Sequence, residues 1–331
     1  MMDRVPRSLT QLARLRNAPL RIPDRLAIFR IAGPGAEQCL QGLLTNDVSK
    51  PGVDTMLYGA LLTPKGMIVV DYWVIRLADG FLFATDLSAQ QASLDLFRRQ
   101  LPPRLAKVTD LTESWAARWL LGERTDPWVS LADSPHPEPG RAHRLPVGSG
   151  EIVVGAPPSS RAGFRYLVLG PSAVLPDADA ILGGTGALGE MGDLRTARVL
   201  AGFPTLGVEI DDRTLPQEVD FDGIGGISYT KGCYVGQETV ARLHFRGHAN
   251  WLLRGLEVTG DRSGLTDPIE RDGKPVARIG TLIELGPDHA IGLAKVRREV
   301  EPGTTLDLAG VTVRVAGLEP GPWFIPPQSL A

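Results

Sequence analysis

The chain has 331 residues, 43% hydrophobic and 22% charged, with a formal net charge of -3 and a pI near 6.0. That length exceeds one ordinary core and predicts two domains, or two and a small third, while the composition excludes wholesale disorder. No long Lys/Arg cluster lies beyond the N-terminus, which argues against a nucleic-acid partner.

Residues 1–25 hold six arginines and only two acids, Asp3 and Asp24. The composition is similar to a mitochondrial presequence. Asp3 and Pro6 break that pattern, so the segment reads as a solvated N-terminal arm of a cytoplasmic protein, mitochondrial only in a eukaryote. A strand is predicted at 26–31, followed by an amphipathic helix through Leu40, Leu43 and Leu44. A hairpin with arms 56–62 and 67–77 turns at Thr63-Pro64-Lys65-Gly66, with proline where a type I or II turn favours it. Residues 59–77 are the most apolar stretch, but Lys65 and Asp71 interrupt it, so no membrane span is expected. A strand at 81–85 and a helix at 88–100 capped by Ser88 complete an α+β pattern.

Residues 133–146 are proline-rich and read as an irregular surface connection. A strand at 164–169 and a helix at 189–201 follow. Beyond Trp251 the pattern turns to short strands at 251–258, 276–285, 290–296 and 304–315, separated by Asp272-Gly273 and Pro302-Gly303. A small β-barrel or sandwich is expected there. The predicted division is an arm (1–25), a body of two intertwined α+β units (26–248, with a break near 133–146) and a C-terminal barrel (249–331).

Cys233 is one of two cysteines in the chain, too few and too far apart for a disulfide framework or a paired zinc site. It stands in Lys231-Gly-Cys-Tyr-Val-Gly-Gln-Glu238, ahead of a short helix predicted to begin near Gly236. Lys231 and the helix N-terminus favour thiolate over thiol, which describes an accessible, activated sulfur on a turn that Gly232 and Gly236 permit. A small buried hydrophobe is the equally weighted alternative. Asp71 falls in a strand apolar on both faces, where a lone carboxylate is costly and must meet an internal donor or the polar edge of a ligand.

Other motifs carry less. Gly184-x-Gly-x-x-Gly189 matches the dinucleotide fingerprint by letter, without a convincing strand before it. His244 and His248 have helical spacing for a metal, but Gly247 is expected to end that helix, so solvated histidines are the default and no permanently bound metal is predicted. The absence of a Gly-x-Ser-x-Gly elbow and of a P-loop lysine excludes a serine hydrolase and a P-loop NTPase. Glu218 and Asp220 read locally as surface charge.

The octapeptide, with Gly226-Ile227-Ser228-Tyr229 before it and Ala241-Arg242 and Phe245-Arg246-Gly247 behind it, resembles the signature of the YgfZ family. Leu40 to Asp47 (Leu-Gln-Gly-Leu-Leu-Thr-Asn-Asp), Pro64-Lys65-Gly66, Arg198 with Ala201-Gly202-Phe203-Pro204, Gly280-Thr281 and Ile291-Gly292-Leu293-Ala294 extend the likeness over nearly the whole chain. The resemblance implies a relative of the glycine-cleavage T-protein: an aminomethyltransferase-like folate-binding body, a small C-terminal β-barrel, tetrahydrofolate as cofactor, and a role in assembly or repair of iron-sulfur proteins. It assigns Asp71 to a site near the reacting folate nitrogens and Glu218 to the pterin ring. Arg198 and Tyr234 become ligand contacts, and Arg242 a hold on the folate tail or an ion-pair partner of Glu238. Cys233, tuned by Lys231, becomes a cluster ligand, redox thiol or nucleophile. The implied partners are reduced folate and iron-sulfur carrier or client proteins. Leu200 replaces the glutamate many relatives carry, which weakens the case for aminomethyl transfer; the rivals are a folate-dependent aminomethyltransferase or demethylase and a non-catalytic folate-sensing module.

Overall fold

The computed structural model describes residues 4–6, 12, 15, 19–122, 136–158, 164–182 and 187–318. In chain order the elements are β1 (Arg4–Pro6), β2 (Leu20–Asp24), β3 (Leu26–Ala32), α1 (Ala36–Gln41), β4 (Thr55–Leu62), β5 (Ile68–Leu77), β6 (Gly80–Asp86), α2 (Gln90–Gln100) and β7 (Lys107–Asp110). Then follow β8 (Trp115–Leu121), β9 (Ala142–Val147), β10 (Gly150–Gly155), β11 (Phe164–Pro171), α3 (Leu175–Leu182), β12 (Ala187–Leu188), α4 (Met191–Ala201) and α5 (Gln237–Arg246). The C-terminal strands are β13 (Trp251–Gly260), β14 (Ile269–Arg271), β15 (Lys274–Gly286), β16 (His289–Arg297), β17 (Thr305–Leu308) and β18 (Val311–Ala316).

Three sheets organise these elements, in the orders β4-β5-β6-β3-β7, β12-β2-β8-β11-β10-β9 and β1-β15-β16-β13-β18-β17, with β14 on β15. The expected α+β class holds. β5 divides two cores, as its two-sided apolar pattern requires: Trp73 and Ile75 enter one, while Val70, Tyr72 and Val74 enter the other. The strands after Trp251 pair as one sheet around their own core, which includes Leu256, Ile269, Val296 and Val313.

Several local expectations change. The first 25 residues are not simply a solvated arm: β1 pairs in parallel with β15, Leu12 and Leu15 are buried, and β2 is an internal strand of the six-stranded sheet. α1 stops at Gln41, because Gly42 and an isolated bridge from Leu44 to Leu61 carry the chain into the hairpin instead. The turn before α2 is capped by Asp86, whose carboxylate accepts from Ser88 N and Oγ, and not by Ser88 itself. Part of the 133–146 connection is strand β9, and the stretch 184–189 lies partly outside the described residues.

Candidate functional site: a charged cleft and an exposed cysteine loop

The β4-β5 register sets Asp71 opposite Ala60 and Trp73 opposite Tyr58. Tyr58 therefore stands diagonally across from Asp71 on one face, and its hydroxyl donates to Asp71 Oδ2 at 2.5 Å. Burial pushes the Asp71 carboxyl above the usual carboxylate range, against the opposing pull of Tyr58 and Arg198. Burial, and then the Asp71 charge, hold Tyr58 as a neutral phenol.

Arg198 lies in the last turn of α4, which Gly202 ends in the left-handed conformation at φ 65. That turn sends Phe203 back onto Trp73, stacked with ring centroids 5.4 Å apart, and edge-on to Tyr58. Tyr58, Asp71, Trp73, Arg198 and Phe203 wall a cavity of about 20 Å³, room for one water-sized group. A cleft of about 210 Å³ adjoins it through the shared residues Leu26, Asp86, Arg198 and Leu206.

The lining carries charges of both signs. Asp24 lines the cleft, accepts from Trp119 Nε1 at 3.0 Å, and is raised by burial against the pull of Arg198. Asp24, Asp71 and Asp86 line these spaces together with Arg195 and Arg198, and Arg198 makes no side-chain hydrogen bond or ion pair among the described residues. The larger cleft offers Asp24 and Asp86 as acceptors and Arg198 as a donor to a polar ligand, while Asp71 and the aromatic rings face the small adjoining cavity.

The second assembly is built by the cysteine octapeptide. Lys231, 8% exposed, donates from Nζ to Leu44 O (2.6 Å) and Asn46 O (2.8 Å), and its ammonium lies 5.0 Å from the centre of the Tyr234 ring. Burial lowers its pKa to about 8, with Asp47 opposing. Thr45 Oγ1 donates to Gly226 O, Asn46 Nδ2 to Gly225 O, and Val235 N to Gly42 O. Gly236, at φ 83, packs on the hairpin turn so closely that a Cβ there would lie 2.7 Å from Thr63 O and 3.0 Å from Gly66 Cα. The segments 40–47, 64–66 and 231–238, far apart in sequence, are therefore one structural unit, and Cys233 stands exposed on it. Gly232 has open space around it, so the turn does not depend on its missing side chain.

The structure brings Asp71 and Arg198 to one cavity. Glu218, Lys231, Cys233, Tyr234 and Arg242 are not among the residues that line it or the adjoining cleft. Glu218 lies in the turn Pro216–Val219, accepts from Leu215 N at 3.0 Å, and is raised by burial, with Lys295 and Arg278 opposing. Tyr234, 7% exposed, is pushed up to about 12 by burial. Arg242 and Glu238 are both exposed and do not form the expected ion pair. Sequence reasoning missed Tyr58, Asp24 and Asp86. The hairpin register alone would have placed Tyr58 beside Asp71; nothing local marks Asp24, and the local cap role of Asp86 does not point to the cleft.

The fold is that of an aminomethyltransferase. The glycine cleavage system aminomethyltransferase T from Bartonella henselae superposes with a TM-score of 0.76 over 96% of this chain and 91% of that one, at 16% identity. The GCVT N-terminal domain family matches residues 24–127. Over 90% of each chain, the sequence is 29% identical to the tRNA-modifying protein YgfZ of Escherichia coli O45:K1 and 26% identical to that of Cronobacter sakazakii. The resemblance to the YgfZ family read from the octapeptide is borne out across nearly the whole chain.

Proposed function

We propose that this protein is a tetrahydrofolate-binding factor for the assembly or repair of iron-sulfur proteins, with Cys233 as its working thiol. The observation that carries this reading is the convergence of three separate segments, locked by Lys231, to display one cysteine at the surface. A fold that buries a lysine to hold a loop, and leaves the loop's sulfur in solvent, is built to present that sulfur. Among the described residues no three His, Cys, Asp or Glu side chains gather as a metal site, so a cluster held at Cys233 would take its remaining ligands from a carrier or client protein.

The cleft supports the folate half of the reading. Asp24 and Asp86 supply acceptors for a pterin edge in the larger cleft and Arg198 supplies donors, while Asp71, Trp73 and Phe203 wall the small cavity beside it. Glu218, which the family resemblance assigns to the pterin, has Oε1 free of protein hydrogen bonds among the described residues. Bound reduced folate would bring a carrier for one-carbon units. The relatives' name ties them to tRNA modification; we assign that link to client enzymes, because the net charge of -3 offers no general attraction to RNA.

One observation favours a second reading. Asp71, raised in pKa and paired with Tyr58, is suited to proton handling, as a folate-dependent aminomethyltransferase or demethylase requires. The readings separate in a strain lacking its own relative. Cys233→Ala should fail to restore iron-sulfur enzyme activity while Asp71→Asn retains part of it; the reverse pattern supports the transferase.

A further inference from the structure

Glu209 is a carboxylate sealed inside the protein, 1% exposed, and it forms no ion pair among the described residues. Such a group is stable only if its oxygens are fully engaged. Oε1 accepts from Thr281 N at 2.8 Å and Thr281 Oγ1 at 2.9 Å, and Oε2 accepts from Thr205 N at 2.8 Å. The socket is made by Gly280, where a Cβ would lie 2.3 Å from Glu209 Oε1. This gives a physical reason for the Gly280-Thr281 pair singled out in the sequence.

The two residues Glu209 grips belong to different parts of the chain. Thr205 follows α4 in the tight loop 203–210, whose turns are closed by Val208, Glu209 and Ile210 N–H groups on Thr205 O. Thr281 lies on β15 of the C-terminal sheet. Both line the cleft that Arg198 shares with the Asp71 cavity, and Leu206, between Thr205 and Glu209, lines both spaces. The carboxylate thus ties the C-terminal sheet to the body at the cleft wall.

We propose that Glu209 is a positioning residue for the ligand cleft: it sets the spacing between the Thr205 loop and Thr281, and through Leu206 the entrance to the Asp71 cavity. This rests on the folate reading and deepens it, since it makes the C-terminal sheet part of the binding apparatus. Glu209→Gln replaces an acceptor with an NH2 group facing donors. Gly280→Ala attacks the same contact from the other side.

The test compares wild type, Glu209→Gln and Gly280→Ala with Leu306→Ala, which weakens the C-terminal sheet core away from the cleft. Tetrahydrofolate dissociation constants are measured well below each melting temperature, alongside amide exchange at Thr205 and Thr281. The expected result is about tenfold weaker binding and lost amide protection in both cleft variants, with Leu306→Ala binding as wild type does. Binding within about twofold of wild type in both cleft variants overturns the proposal, as does retained protection of both amides. If Glu209→Gln does not fold, Gly280→Ala decides. Failure of wild type to bind tetrahydrofolate would sink the folate reading, while the exchange data would still decide whether Glu209 holds the two walls.

Discussion

The Tyr58 hydroxyl donates to Asp71 Oδ2 from a strand position diagonal to it, so the hairpin that creates a buried carboxylate also supplies its partner. The folded-state pKa of Asp71 is still raised from 3.8, because desolvation outweighs Tyr58 and Arg198. A raised carboxyl pKa contributes stability that is present below the unfolded value and lost as pH rises through the folded one. Asp71→Asn, which imitates the protonated form, should therefore match or exceed wild-type stability at pH 7. That advantage should vanish below about pH 4. Urea denaturation of both proteins across this range checks the sign, and an Asn variant that is less stable at pH 7 contradicts it.

Lys231 gives the opposite slope. Its pKa falls from 10.5 to about 8, so between those values the unfolded chain holds a proton that the folded chain has released. Wild-type stability should rise with pH across that window relative to Lys231→Met. At pH 7 the same variant should be less stable by about 1–3 kcal/mol, because Leu44 O and Asn46 O lose a charged donor.

The glycines of the cysteine loop should differ sharply. Gly236→Ala faces both a left-handed φ and the Thr63 carbonyl, and should cost more than about 1 kcal/mol. Gly232→Ala enters open space and should lie within about 0.5 kcal/mol of wild type. Melting curves of the two variants decide, and equal losses would contradict the packing of loop on hairpin turn.

At the junction with the C-terminal sheet, Lys295 Nζ donates to Asp211 Oδ2 at 2.7 Å and to Thr214 Oγ1 at 3.0 Å. The Asp211 carboxyl is lowered to about 2, with Lys295 the leading stabilising partner against burial. Its contribution is present above 3.8 and lost as pH falls toward 2. Asp211 is 46% exposed, so solvent screening keeps the effect of Asp211→Asn near about 1 kcal/mol at pH 7. The difference from wild type should close in acid, which denaturation midpoints from pH 7 to pH 2 would show.

Much of the framework is legible in the chain because it depends on local periodicity. The apolar alternation of β5 with proline and glycine between the hairpin arms gives its strands, and the glycine after α4 gives that helix its end. The octapeptide is legible as a motif, but its mechanics are not. Lys231 reads as a neighbour of the sulfur, yet its ammonium is committed to carbonyl oxygens nearly 190 positions earlier in the chain. Ser88 looks like a cap, and Asp86 wins because its carboxylate reaches both Ser88 donors. Asp24 and Glu209 have no local signature, and the local role of Asp86 as a cap gives no sign of its place in the cleft. Their roles arise from three chain segments meeting at one cleft, and pairings over such separations leave no periodic trace in sequence.

Binding of a reduced pterin in the cleft at Arg198, beside the Asp71 cavity, is the central proposal. Its most direct measurement is the anaerobic titration of wild type and Arg198→Leu with tetrahydrofolate, followed by intrinsic tryptophan fluorescence, since Trp73 walls the site. Saturable quenching in wild type, with affinity about tenfold weaker in Arg198→Leu, is the predicted result. No saturable signal in wild type, or identical affinity in the two proteins, would contradict it.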